Sequence, residues 1–222
     1  MEAVLIIASI VGVIGIIIWA ASLYEKKRSE ALEYLATSMN FSFVRKTDDS
    51  LINTHEHFDL FEKGHSKRVS NIMIGDSGDM KITIADYKYT VGNGKNSSTY
   101  SQTIIIIQSA HLNLPHFALS PENFFHKIGG MFGYQDIDFT SHPVFSKKYL
   151  LRGKDEDLIR ESFKDEVLDY YEKNNILCTE GNGDEFVYYK NSKRIPPKEI
   201  QAFLQDGIKL YGLLKIQSSG LH

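Results

Sequence analysis

The chain has 222 residues, 25 of them Lys or Arg and 28 Asp or Glu, for a net charge of −3. That balance argues against a nucleic-acid partner, which would call for a basic surface. The only cysteine, Cys178, excludes an intramolecular disulfide and suits a reducing compartment.

The first element is an uninterrupted apolar run over residues 3–23. As a helix it spans roughly 30 Å, the thickness of a bilayer's hydrocarbon core. Residues 1–24 therefore read as a transmembrane anchor. Trp19 and Tyr24 lie near its end, where amphipathic rings favour the interface. A secretory signal peptide is the competing reading, but the charged leader is missing and the run exceeds a usual signal core. Lys26, Lys27 and Arg28 follow the run, and no Lys or Arg precedes it. The positive-inside rule then directs the rest of the chain to the cytoplasm, and the three cations could also grip anionic lipid headgroups. Membrane lipid is the first partner expected.

Residues 25–40 are expected to extend the anchor as a membrane-proximal helix. Ala31, Leu32, Leu35, Ala36 and Met39 share its inner face, and Asn40 stops it. Residues 41–222 should form the cytoplasmic domain, as one unit or as two packed lobes at 41–145 and 146–222. Phe41 to Val44 alternate as a short strand, residues 47–56 read as a loop, and residues 58–111 read as β throughout. Met80, Ile82 and Ile84 alternate with Lys81 and Thr83, and Gly92, Asn93 and Gly94 mark a hairpin tip. Ile104 to Ile107 are apolar on both faces, which predicts a central, covered strand.

Ser120 before Pro121 predicts the cap and first turn of a helix carrying Phe124, Phe125 and Ile128. A loop follows to Phe145, then a short strand at 148–152. A long helix starts at Asp155 or just before it and buries Ile159, Phe163, Val167 and Tyr170. A hairpin turns around Gly181 to Asp184. Pro196 and Pro197 open a last helix with Ile200, Phe203, Leu204, Ile208 and Tyr211 inward. The order predicts an α+β fold: an N-terminal transmembrane helix, then a soluble domain of antiparallel sheet and packed helices.

Two clusters could carry chemistry. Asp136, Asp138 and His142 lie within seven residues, the residue types of an acid–base pair or a divalent-metal site. Their alternative use is to cap turns, with Arg152 or Arg160 holding the carboxylates. His55 and His57, two apart in an extended segment, would face the same way and could touch one ion, with His65 or His111 as further candidates. Solvated loop histidines are the plainer reading. Gly129-Gly130-Met131-Phe132-Gly133 follows a helix instead of opening one, and Gly92 to Lys95 lacks the phosphate-loop spacing. No cofactor is called for. Asn40 and Asn96 match the glycosylation triplet, which a cytoplasmic domain would not use. Cys178, in an apolar strand with no adjacent base, reads as a small core residue.

One resemblance is carried by Tyr87-x-Tyr89-x-x-Gly92, Gln102-Thr103, Leu114-Pro115-x-Phe117, Pro121-Glu122, Asp136-Ile137-Asp138-Phe139-x-x-His142-Pro143, Phe145-Ser146-x-x-Tyr149 and Leu151-x-Gly153. In these residues the chain resembles a group of bacterial membrane-anchored proteins of unknown function, most specifically over residues 136–153. The C-terminal part is also similar to other membrane-associated bacterial domains, with Phe145, Tyr149 and Arg160 at comparable places. The resemblance implies a bacterial source and an anchored domain, which together with the anchor's direction gives a bacterial inner-membrane location as the expectation. It supplies no activity.

These readings together predict a non-catalytic binding or assembly module at the membrane, with a protein partner. A hydrolase-like or metal-dependent enzyme around Asp136, Asp138 and His142 is one alternative, and it requires those side chains to converge. A lipid-binding domain is the other.

Overall fold

A computed structural model describes residues 1–46, 50–122, 135–174 and 177–215. The chain opens with α1, Glu2–Ser38, a single unbroken helix. It is long and apolar enough to cross a membrane, and among the described residues no protein covers its apolar part: Ile14, Ile18 and Trp19 are 50%, 64% and 65% exposed. Beyond that part the same helix packs on the domain through Leu32 and Ala36. It stops where Asn40 takes a left-handed conformation at φ 58°, which asparagine tolerates better than most residues.

The domain is built on one sheet of eight strands: β1 Ser42–Lys46, β2 His65–Ser77, β3 Met80–Val91, β4 Ser98–Gln108, β5 Leu114–Pro121, β6 Tyr149–Gly153, β7 Cys178–Gly183 and β8 Glu185–Tyr189. Their order is β1-β2-β3-β4-β8-β7-β5-β6, and every pairing is antiparallel. Residues on either side of position 145 thus share one sheet, because β8 docks on β4 and β5 lies between β7 and β6.

The sheet divides two apolar layers. On one face Ile82, Ile84, Ile105 and Ile107 meet α1 and the C-terminal helix. On the other, Ala85, Tyr87, Tyr89, Ile104 and Ile106 meet two short helices, α2 Ser50–Thr54 and α3 Asp59–Glu62. The four isoleucines of β4 are at most 2% exposed, as a doubly covered strand requires. The first face also carries α4 Pro143–Lys148, α5 Glu156–Ser162, α6 Asp165–Lys173 and α7 Ile200–Leu214.

Four local expectations are corrected. The segment 47–56 contains α2, and Phe58 leads into α3 instead of a strand. Ser120 and Pro121 belong to β5, paired with Leu150 and Tyr149. The rest of the helix expected after them, and the glycine run 129–133, lie outside the described residues. Phe145 sits in α4, opened by Pro143 at its first turn, and not in a loop. The long helix after Asp155 is broken into α5 and α6 at Phe163. The break lets the Phe163 ring meet Phe117 edge-on, with centroids 5.0 Å apart.

Candidate functional site

A buried polar network lies where α1 leaves its apolar stretch. Glu25, Arg28, Ser29, Leu32 and Ala36 recur at three- and four-residue steps and so form one stripe of the helix. The lower end of the stripe is apolar and enters the core. The upper end is polar and meets charge on the sheet.

Arg28 is only 5% exposed. It grips Asp86 of β3 with two parallel bonds, Nε to Oδ2 at 2.8 Å and Nη2 to Oδ1 at 2.7 Å. Its Nη1 donates to the Ile195 carbonyl at 2.8 Å, and Nη2 also reaches Thr103 Oγ1 at 3.2 Å. Asp86 accepts further bonds from Asn71 Nδ2 at 2.9 Å, Thr103 Oγ1 at 3.1 Å and Arg194 Nη2 at 3.2 Å. Asn71 can reach it because a register shift in β2 puts this residue at φ 53°, and its Oδ1 accepts from Ser29 Oγ at 2.7 Å. Arg194 in turn holds Glu25 with two bonds of 2.5 and 2.8 Å.

The electrostatics follow from this packing. Burial alone would raise the Asp86 carboxyl, but the bonds and charge of Arg28, with Arg194 and Asn71, outweigh it and hold it below its ordinary range. The Arg194 hydrogen bond likewise lowers Glu25. A planar guanidinium with a bidentate carboxylate fixes angle as well as distance. The arrangement can therefore set the pose of the domain on its helix. Beside it opens a cleft of about 570 Å³, lined by Glu25, Lys46, Arg68, Asp86, Lys88 and Arg194 among others.

Arg28 was expected to flank the membrane with Lys26 and Lys27; instead it is withdrawn into this network, because Asp86 offers it a buried partner. Lys26 and Lys27 stay exposed, as does Trp19. The network was not singled out from sequence. One signal was there: Asp86 falls in phase with Met80, Ile82 and Ile84, which places a carboxylate on the buried face.

Asp136, Asp138 and His142 are directed to different partners. Asp136 Oδ1 accepts from the Leu151 amide at 3.0 Å, while Ile137 N donates to the Leu151 carbonyl, so this segment edges β6. Burial and the nearby Asp138 charge raise the Asp136 carboxyl, against the Leu151 amide. The Asp138 carbonyl is held by Arg160 Nη1 at 2.9 Å. His142 faces α6, 3.9 Å from Asp165 and 3.5 Å from Asp169. The convergence that the enzyme reading requires is not found.

His55 and His57 do come together, on the Glu185 carboxylate, at 3.4 and 2.8 Å. His116 Nε2 lies 3.2 Å from the His57 carbonyl. No group of three or more His, Cys, Asp or Glu suited to a metal ion occurs among the described residues. Cys178 is fully buried, and burial pushes its thiol up to about 12, far from a reactive thiolate.

No family model and no curated protein matches the chain. Among solved structures, the crystal structure of the mycobacterial trehalose monomycolate transport factor A, TtfA, is similar with a TM-score of 0.58, covering 84% of this chain and 91% of that one at 7% identity. The likeness shows a shared fold.

Proposed function

We propose that the protein is a membrane-anchored, non-catalytic binding module: a single-pass bacterial inner-membrane protein whose α+β domain lies in the cytoplasm and holds a protein partner against the bilayer. The observation that carries this reading is the clamp. A helix that only tethered a domain would need no buried ion pair at its junction. Here Arg28 and Glu25 lock the exposed apolar helix to the sheet in one orientation, through Asp86 and Arg194. Fixed presentation to a neighbour in or on the membrane is what such a junction provides. The name of TtfA, a transport factor, supports a non-catalytic, membrane-associated module. Lys26 and Lys27, exposed after the apolar run, support the cytoplasmic placement. The separate partners of Asp136 and His142 give the enzyme alternative no support among the described residues.

The test is photocrosslinking in intact membranes from position 34. Tyr34 is 78% exposed, on the part of α1 that runs along the domain. A discrete crosslinked membrane protein is expected. If position 34 and the exposed edge residue Val44 both yield no crosslinked species, the reading fails. Orientation is checked separately with C-terminal reporters. A fluorescent fusion should be bright and a phosphatase fusion inactive, and the reverse result overturns the cytoplasmic placement.

A further inference from the structure

We infer that the cleft beside the clamp is a headgroup site for an anionic phospholipid, with Arg68 and Lys88 binding the phosphate. This deepens the proposed function and rests on its reading of α1 as a membrane anchor.

Depth is the first argument. Glu25 forms the helix side of the cleft, two residues past the apolar run, which is about 3 Å along the axis. The polar layer of a bilayer is roughly 5–7 Å thick on each side of the hydrocarbon core. The wall of the cleft therefore sits at headgroup level.

Charge is the second. Asp86 and Glu25 are already engaged by Arg28 and Arg194. Lys46, Arg68 and Lys88 are exposed in the same cleft, and among the described residues none has a carboxylate within 4.0 Å. Among the described residues these three cations thus stand in the cleft without a carboxylate of their own. Arg68 offers a planar fork suited to two phosphate oxygens, and Lys88 a point charge beside it. Ser70 and Ser101 also line the cleft as half-buried hydroxyls. Its volume of about 570 Å³ is that of a small-ligand site.

The third argument is cost. Arg68 and Lys88 are direct partners in the β2–β3 register, so two like charges stand opposite one another. Such pairs destabilise a sheet. Lys46, on the neighbouring strand, pairs with Ser70, two residues from Arg68. Among the described residues no side-chain hydrogen bond or ion pair holds these cations together. An anion shared between them would relieve the repulsion.

The test uses full-length protein reconstituted in phosphatidylcholine vesicles carrying a trace of dansyl-labelled phosphatidylglycerol or dansyl-labelled phosphatidylcholine. Trp19, the only tryptophan, serves as energy-transfer donor. Wild type should transfer preferentially to the phosphatidylglycerol probe. Each cation lost from the site should cut that enrichment about fivefold. The double variant Arg68→Gln/Lys88→Gln should lose it, while Lys26→Gln/Lys27→Gln, which removes exposed cations outside the cleft, should cut it less than the double variant does. Arg68→Lys should fall between wild type and the double variant. The double variant should melt no lower than wild type, since a like-charge pair is removed.

Enrichment unchanged in Arg68→Gln/Lys88→Gln overturns the headgroup site. So does a melting-point rise with millimolar inorganic phosphate in detergent, dependent on Arg68 and Lys88, with no lipid enrichment; the cleft would then serve a soluble anion. Absence of transfer to both probes means that α1 is not inserted, which removes the anchor reading and this inference with it.

Discussion

Arg28 sits in a row of three cations that local sequence does not distinguish, yet its burial gives it a separate role. A guanidinium taken out of water must find a counter-charge and partners for its donors, and Arg28 finds Asp86, Ile195 and Thr103. Removing one side of such a pair leaves the other buried and uncompensated. Arg28→Ala should therefore lower stability by about 3–5 kcal/mol in urea unfolding of the full chain in detergent. Lys26→Ala and Lys27→Ala should stay within about 0.5 kcal/mol of wild type. The pH dependence has two limbs of opposite sign. Asp86 is held below its ordinary 3.8, so its contribution is present above that value and is lost as pH falls through the lower folded value. His55 behaves the other way. Burial works against its charged form, but bonds to Glu185 and to the Leu51 carbonyl prevail and raise it above 6.5. Its contribution is full below 6.5 and is lost as pH rises through the raised value. Melting temperature measured across pH should fall at both ends. Asp86→Asn should shrink the acid limb, to which the lowered Glu25 also contributes, and His55→Gln should flatten the alkaline one.

Elements were legible where one period ran long enough. The β2–β4 meander shows its alternation, and the final helix shows its inward stripe, its prolines opening the 3-10 turn Pro197–Glu199 that leads into it. β5 was hidden because Pro115 weakens its strand pattern and Ser120-Pro121, which end the strand, also carry the pattern of a helix start. Its identity comes from neighbours remote in sequence, β6 and β7, which pair on its two sides. Short α2 and α3 carry too few turns for a period. Contacts from the sheet help hold them, among them the buried Glu180 carboxylate, which accepts from the Leu60 amide at 2.9 Å. The clustered residues 136–142 looked like a site because sequence shows proximity and not direction. In the fold Asp136 turns to β6 and His142 to α6. The same β5–β6 pairing makes Gly153 sensitive. A Cβ there would lie 2.3 Å from the His116 carbonyl oxygen and 2.4 Å from Ile159 Cδ1. A backbone atom cannot swing aside as a side chain can, so Gly153→Ala should cost about 1–3 kcal/mol. Its melting temperature against wild type is the check.

For the molecule as a whole, α1 is at once an apolar rod and a member of the core. Its 37 residues form a helix roughly 55 Å long, so a tilt at one end is carried to the other. The proposed function depends on that stiffness. Two glycines inserted between Leu23 and Tyr24 should leave the clamp and the domain's melting temperature intact, while the crosslink from position 34 weakens. An undiminished crosslink would show that fixed orientation is not what the partner requires. The double role of α1 also decides what a single proteolytic cut would do. Cleavage ahead of Glu25 would shed a domain that keeps both arms of its clamp. Cleavage a few residues later, past Arg28, would leave Asp86 buried without its main cation, and the freed fragment would be prone to unfold and be degraded. A membrane protease shifted by one helical turn would thus choose between releasing this protein and destroying it.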